Sequence, residues 1–304
     1  MSDRPSVFLD NPDALSAVMK QLGLSANVYV SGEFCGAWAV DTSGSRKMPF
    51  HLISRGEAWL HFPEREPVRM SEGNLILFPH DNQHVIASSN EAPEPDKVNS
   101  ELEPADGTGT HMICGFFEFK NKTAWPLLDS FPDLLVLDMD TLGKASYLRN
   151  IIELLVAELN SEEPGMYAAI ENLAHLLFTQ IIRQQIHAGS LQSGLLYALF
   201  DSKISKALSA IHNQPEASWS LDSLAATCAL SRSAFAQKFQ DLVGMSAMKY
   251  LTHWRMQQAT QMLMSSQLSI AEIAERCGYE SEPAFRKAFR NTTGNTPGSI
   301  RRTA

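Results

Sequence analysis

Cysteine is scarce in this chain. Four cysteines in 304 residues are too few for a disulfide framework, and none lie in a Cys-x-x-Cys pair that would give a short metal-binding spacing. A reducing compartment is therefore the expected setting. No uninterrupted apolar run approaches the ~18 residues of a membrane-spanning helix. The opening MSDRPSVFLD has no basic segment leading into an apolar stretch, so a signal peptide is not expected. Positive charge is also in deficit: 25 Lys and Arg against 34 Asp and Glu, net −9, which taken alone argues against a nucleic-acid partner. Apolar side chains are abundant, at 44% of the chain against 19% charged, and this describes a chain that buries real cores. Its length suits two domains. The expectation is a soluble, cytoplasmic protein.

The acidic average conceals an asymmetry. Residues 203–304 hold twelve Lys and Arg against seven Asp and Glu, a net of +5, so the rest of the chain carries −14. A basic module beside an acidic one fits a DNA-binding part tethered to a sensing part. Within 25–119, short apolar runs at 27–30, 37–40, 58–62 and 75–78 alternate with Gly, Pro, Asn, Asp and Ser clusters, a rhythm that predicts an antiparallel barrel or sandwich. Residues 90–110, rich in Pro, Gly and acid, read as a mobile surface loop between two strands. From residue 146 the period turns helical. Leu148, Ile151, Ile152, Leu155, Val156 and Leu159 form one stripe, and a second helix over about 166–187 is apolar around much of its circumference. That second helix has two surfaces to satisfy, either the barrel and a twin subunit or the barrel alone. The expected division is 1–145, 146–200 and 201–304.

The last third contains a repeat at a separation of 50 residues: Ser231 matches Ser281, Phe235 matches Phe285, Phe239 matches Phe289 and Gly244 matches Gly294. Each copy reads as a short apolar helix (221–228 and 270–277), a turn, a capping serine and a second helix (231–242 and 281–292) with its Phe pair facing inward. Gly278 suits the left-handed position that ends a helix. Two helices joined by so short a turn are a helix-turn-helix, whose second helix enters the major groove. With the Phe pairs inward, the outward residues are Arg232, Ser233, Ala236 and Gln237 in the first copy. In the second they are Glu282, Pro283, Arg286 and Lys287, with Arg290 further along. Arg reads guanine, Gln adenine and Glu cytosine, while Lys238, Lys287 and Arg290 are placed for phosphates. A long helix over 247–264 separates the copies, so one chain can grip two successive grooves ~34 Å apart.

The run AERCGYESEPAFRKAFRNTTGNTPGSIR at 274–301, with Gly278, Tyr279, Phe285, Phe289, Gly294 and Pro297, resembles the C-terminal signature of the AraC/XylS transcription regulators. SRSAFAQKF at 231–239 is similar to the first helix-turn-helix of the same family. HLISRGEAWL and GNLILFPHDNQH resemble the cupin-type sensor of one subgroup. The resemblance implies an α+β protein with a cupin-like antiparallel β-barrel, middle helices and an all-α DNA-binding domain. It also implies binding to double-stranded promoter DNA, contact with RNA polymerase, usually activation, and an effector sensed by the barrel. The middle helices are the expected seat of a homodimer, and no enzyme activity is expected.

Cupin barrels commonly hold a metal on three histidines and a carboxylate, and that pattern is degraded here. No His-x-His pair precedes His51, and His51 stands near the place of the usual Glu, whereas His84 fits the second motif. A cupin oxygenase or isomerase fused to a DNA-binding tail is therefore the alternative reading. Cys35, His51, His84 and Cys114, on or beside expected strands, would make a tetrahedral zinc set if they converged, and its oxidation would make a switch. Against this stand a metal-free thiol sensor and, more simply, two inert core cysteines. Cys228 and Cys277 read as packing residues. His61 and His80 are surrogate ligands, and His111 reads as solvated. A further reading is an organic effector near Trp38, Trp59 and Phe117.

Overall fold

The computed structural model describes residues 13–103, 107–119, 128, 130–139, 147–161, 163–189 and 194–303. The chain divides into two compact units. Gly23–Ala188 form one, and Gly189–Ala304 form the other together with Met1–Leu22.

Among the described residues the first unit holds nine strands in two antiparallel sheets. They are β1 (Leu24–Phe34), β2 (Ala39–Asp41), β3 (Met48–Arg55), β4 (Glu57–His61), β5 (Val68–Ser71), β6 (Asn74–Leu77), β7 (Val85–Ala87), β8 (Thr110–Phe119) and β9 (Leu135–Asp138). One sheet runs β1-β8-β3-β6-β9 and the other β2-β7-β4-β5. Period-two alternation explains what lies between them. Ile53, Ile76, Met112 and Cys114 from the first sheet meet Ala58, Leu60, Met70 and Ile86 from the second, with Phe34, Trp38 and Phe78 closing the cluster. The alternate residues of β8 face the other way: Phe117 and Phe119 pack on Phe178. Phe178 belongs to α3 (Met166–His187), which runs beside α2 (Tyr147–Leu159). The expected apolar stripe of α2 is buried at Leu148, Ile151, Ile152 and Leu155.

In the loop after β7, residues 98–103 are tied to the strands. Asn99 bonds Asp41 through both its amide atoms, Val98 bridges to Ala39 and Glu103 bridges to Cys35.

The second unit is helical: α1 (Ala14–Leu22), α4 (Gly194–Ala198), α5 (Ile204–Asn213), α6 (Leu221–Thr227), α7 (Arg232–Val243), α8 (Ala247–Ser265), α9 (Ile270–Arg276), α10 (Glu282–Thr293) and α11 (Pro297–Thr303). Helix α1 buries Ala14, Leu15, Val18 and Leu22 and packs on α5, so it sits with the C-terminal helices. The partition falls after Leu22 and Ala188, where the sequence pattern placed it after residues 145 and 200. Among the described residues no helix is long and apolar enough to cross a membrane.

Candidate functional site

Helices α7 and α10 are built alike. Ser231 and Ser281 cap them by accepting from the Ala234 and Ala284 amides, and Gly244 and Gly294 end them at φ 80° and 74°. Each buries its Phe pair completely: Phe235 and Phe239 in α7, Phe285 and Phe289 in α10. The preceding helices α6 and α9 carry reciprocal capping boxes, Ser220 with Ser223 and Ser269 with Glu272, which satisfy the free amides of their first turns. These local rules fix the outward faces. Arg232, Ser233, Gln237, Pro283, Arg286, Lys287 and Arg290 are exposed, and Ala236 and Glu282 are half-buried.

Several of these side chains are pre-oriented. Arg286 Nε donates to Glu282 Oε1 at 2.6 Å, Gln237 donates to Asp241 at 2.7 Å, and Arg232 meets Asp222 at 3.3 Å. Exposed pairs of this kind are worth ~0–1 kcal/mol, so a base edge or a phosphate exchanges for them readily. Lys238 differs. Its ammonium lies 2.8 Å from Asp201 Oδ2, while Asp201 Oδ1 accepts from the Lys203 and Ile204 amides at the start of α5. A phosphate at Lys238 would first have to break that pair.

In the strand unit, His51 and His84 share one hydroxyl. Thr42 Oγ1 lies 3.1 Å from His51 Nε2 and 2.9 Å from His84 Nε2. His84 Nδ1 lies 2.7 Å from the Asn82 carbonyl, so it carries the proton and leaves Nε2 to accept from Thr42. His51 Nε2 then donates to Thr42, and its buried Nδ1 is an acceptor with no hydrogen-bond partner among the described residues. Both rings are held neutral. Burial, with His84 alongside, pushes His51 down to about 3. Burial also lowers His84, which stacks on Phe78 at 3.5 Å.

The four expected zinc ligands do not converge. Cys114 pairs across the sheet with His51 on one side and Val30 on the other. Cys35 lies just past the end of β1, five residues beyond Val30, an extended rise of ~16 Å, whereas zinc ligands lie within ~2.3 Å of one ion. Among the described residues no group of three or more His, Cys, Asp or Glu is placed to hold a metal. The surrogates are engaged as well, since His61 lies 2.9 Å from the Ser89 carbonyl and His80 2.9 Å from that of Phe131. His111 is half-buried on Ser54 rather than solvated. Two imidazoles around a threonine do not fit a cupin metal. Thr42 carried no motif in the sequence, because it sits in a short polar turn.

Burial pushes the Cys114 thiol up to about 12, and buried protonated thiols are slow nucleophiles. At pH 8 its labelling by iodoacetamide, followed by mass spectrometry, is expected to be ~10³-fold slower than in the denatured chain. Labelling at the denatured rate would remove this assignment.

The aromatic set named as an effector pocket is split. Trp38 lies inside the strand core, Phe117 faces α3, and Trp59, between buried Ala58 and Leu60, faces away from the core. A separate cavity of about 380 Å³ is lined by Arg46, Lys47, Met48, His80, Asp81 and Glu118 among others. Lys47 lies over the Phe116 ring at 3.6 Å and pairs with Glu118 at 3.4 Å.

A family profile described as cupin matches residues 13–187, and one described as a helix-turn-helix domain matches 224–303. Over 302 residues the chain is 30% identical to an HTH-type transcriptional regulator of Haemophilus influenzae, covering 95% of this chain and 98% of the relative. It is 28% identical to the HTH-type transcriptional regulator AlkR of Acinetobacter baylyi, covering 95% and 99%. It is 29% identical to the RCS-specific HTH-type transcriptional activator RclR of Escherichia coli, covering 83% of each chain.

Proposed function

Because the chain belongs to the AraC-like transcriptional regulators with a cupin N-terminal domain, we propose that α7 and α10 read successive major grooves of promoter DNA under control of the strand unit. The observation that carries this is the duplication itself. Two capped helices, each anchored by a buried Phe pair, present polar and basic outer faces from either end of α8. A helical hairpin kept only for packing has no need of two such faces. In α10, Arg286 and Glu282 read base edges while Lys287 and Arg290 hold phosphates. In α7, Arg232, Ser233, Ala236 and Gln237 take the same places. Contact with RNA polymerase, leading to activation, is part of the same reading.

The test uses DNA selected from a random pool by the full chain. Arg286→Ala is expected to weaken binding by ~1–3 kcal/mol and to relax one base position, whereas Lys287→Ala weakens all sequences alike and lowers the salt slope by ~1. Equal losses on all sequences for Arg286→Ala would make it a phosphate contact.

For the effector, a small organic molecule fits better than a metal or an oxidant. A cavity of about 380 Å³ lies within the usual ~300–1,000 Å³ of ligand sites, whereas the two histidines hold a hydroxyl between them and Cys114 is held protonated. The same donor shortage argues for a regulator over a cupin oxygenase, which needs three ligands and an open position. A second copy of the chain is the proposed cover for Tyr147, Leu154, Tyr167 and Leu176 on α2 and α3. The two tyrosines are 76% and 80% exposed and the two leucines 56% and 46%, and large apolar side chains left so exposed are the ones an interface would cover.

A further inference from the structure

Helix α8 is shared by two cores. Its first half buries Ala247, Tyr250, Leu251 and Trp254, and its second half gives Met256, Ala259 and Leu263 to the cluster around Phe285 and Phe289. Arg255 stands at the seam. Its Nε donates to the Pro215 carbonyl at 2.6 Å and its terminal nitrogen to the Ala217 carbonyl at 2.9 Å, both in the connection that leads into the first helix-turn-helix. The same guanidinium lies 5.7 Å from the Tyr279 ring centroid, and the Cys277 thiol donates to the Arg255 carbonyl at 3.4 Å. Cys277 and Tyr279 flank the turn of the second helix-turn-helix, and Tyr279 packs edge-on against Phe285.

Gly278 records how closely the two helix-turn-helix segments approach here. A Cβ on it would fall 2.5 Å from the Glu216 carbonyl oxygen and 2.7 Å from the Arg255 guanidinium. Its left-handed φ of 71° does not by itself demand glycine, because the first copy places Ala229 after its own cysteine at φ 51°. The glycine is needed because the second turn docks against residues 215–217, with Arg255 between them. Arg suits the place because its planar fork serves two carbonyls and an aromatic face at once, which a lysine ammonium cannot.

We propose that Arg255 is a positioning residue that locks the two helix-turn-helix units at one separation and angle, and so fixes the spacing between the two DNA boxes that the protein accepts. It rests on the two-groove reading above. The clamp adds a side-chain tie to the one helix, α8, that the two helix-turn-helix units share. Across a lever of ~34 Å, a bend of ~6° moves one recognition helix by the rise of about one base pair. A loosened linkage lowers the effective concentration of the second box and broadens the spacings that work.

The experiment selects DNA from a random pool with the full-length wild type and with Arg255→Lys and Arg255→Ala, and reads the spacing between enriched boxes. Arg255→Lys keeps the stem and the charge, so its melting temperature is expected to stay near that of wild type. Wild type is expected to prefer one spacing over its one-base-pair neighbours by at least about tenfold, and Arg255→Lys by no more than about twofold. Affinity for a single box should be unchanged. Retention of the wild-type spacing preference in both variants overturns the proposal. So does an equal loss on single-box and two-box DNA, which would mark a fold defect or a direct DNA contact. If wild type itself enriches a single box, the two-groove reading fails first, and the role of Arg255 falls with it.

Discussion

Phe285→Ala is expected to destabilise the second helix-turn-helix by ~3–5 kcal/mol, the cost of emptying a fully buried aromatic site. Phe285 is 0% exposed and lies among Met256, Ala259, Leu263, Ile273, Ala274, Cys277 and Phe289. Its ring also supports Tyr279. No neighbour is positioned to fill the hole, because Ala259 and Ala274 are already the small members of the cluster. The cluster draws its members from the second half of α8 onward, so its loss is a local unfolding rather than a global one. Hydrogen exchange of α9 and α10 at low urea should show those helices opening first. The first helix-turn-helix and the strand core should keep their protection. Arg290→Ala, exposed on the same helix, should stay within ~0.5 kcal/mol. A loss below ~1 kcal/mol for Phe285→Ala would mean that the ring is not the anchor.

That contrast reflects what was legible in the sequence. The Phe pairs, the capping serines and Gly244 and Gly294 recur at a fixed separation, and each acts within one turn of its own helix, so local rules reached them. Gly278 was legible as a helix end, but the reason for it was not. The atoms that crowd it belong to Glu216 and Arg255, which no periodicity connects to it. The strand unit follows the same division. His51 and Cys114, both expected on strands, pair across the sheet on one interior face. A strand assignment carries no information on height along the strand, which is why Cys35 was grouped with them. Trp38 and Phe117 failed as a pair for the complementary reason, since they lie on opposite faces. Lys238 was read as a free cation because Asp201, on a separate segment, was invisible to helix geometry.

The buried histidines lead to the second large effect, a loss of stability in mild acid from both units. His51 in the strand unit and His212 in the helical unit are each pushed down to about 3, chiefly by burial. For His212 the Ala14 backbone opposes the shift. His212 stacks on Trp254 at 3.7 Å and its Nε2 lies 2.7 Å from the Tyr250 hydroxyl. In the unfolded chain both rings titrate near 6.5. Above that pH neither state binds the proton and the stability is whole. Between 6.5 and about 3 the unfolded chain takes up a proton that the folded chain refuses, so stability falls by up to ~1.4 kcal/mol per pH unit for each ring. From pH 7.5 to 5.0 each unit is expected to lose ~2 kcal/mol, before the carboxylates contribute. Urea midpoints at these two pH values, read separately for the two units by hydrogen exchange, provide the measurement. His51→Gln should lower the stability of the strand unit at pH 7.5, because it disturbs the Thr42 pair, yet flatten its dependence on pH. The helical unit should keep its acid slope in that variant. A strand-unit midpoint that does not move between pH 7.5 and 5.0 in wild type would mean that His51 is not the neutral, desolvated ring described above. The Thr42 hydroxyl would then be free to serve an effector rather than two imidazoles.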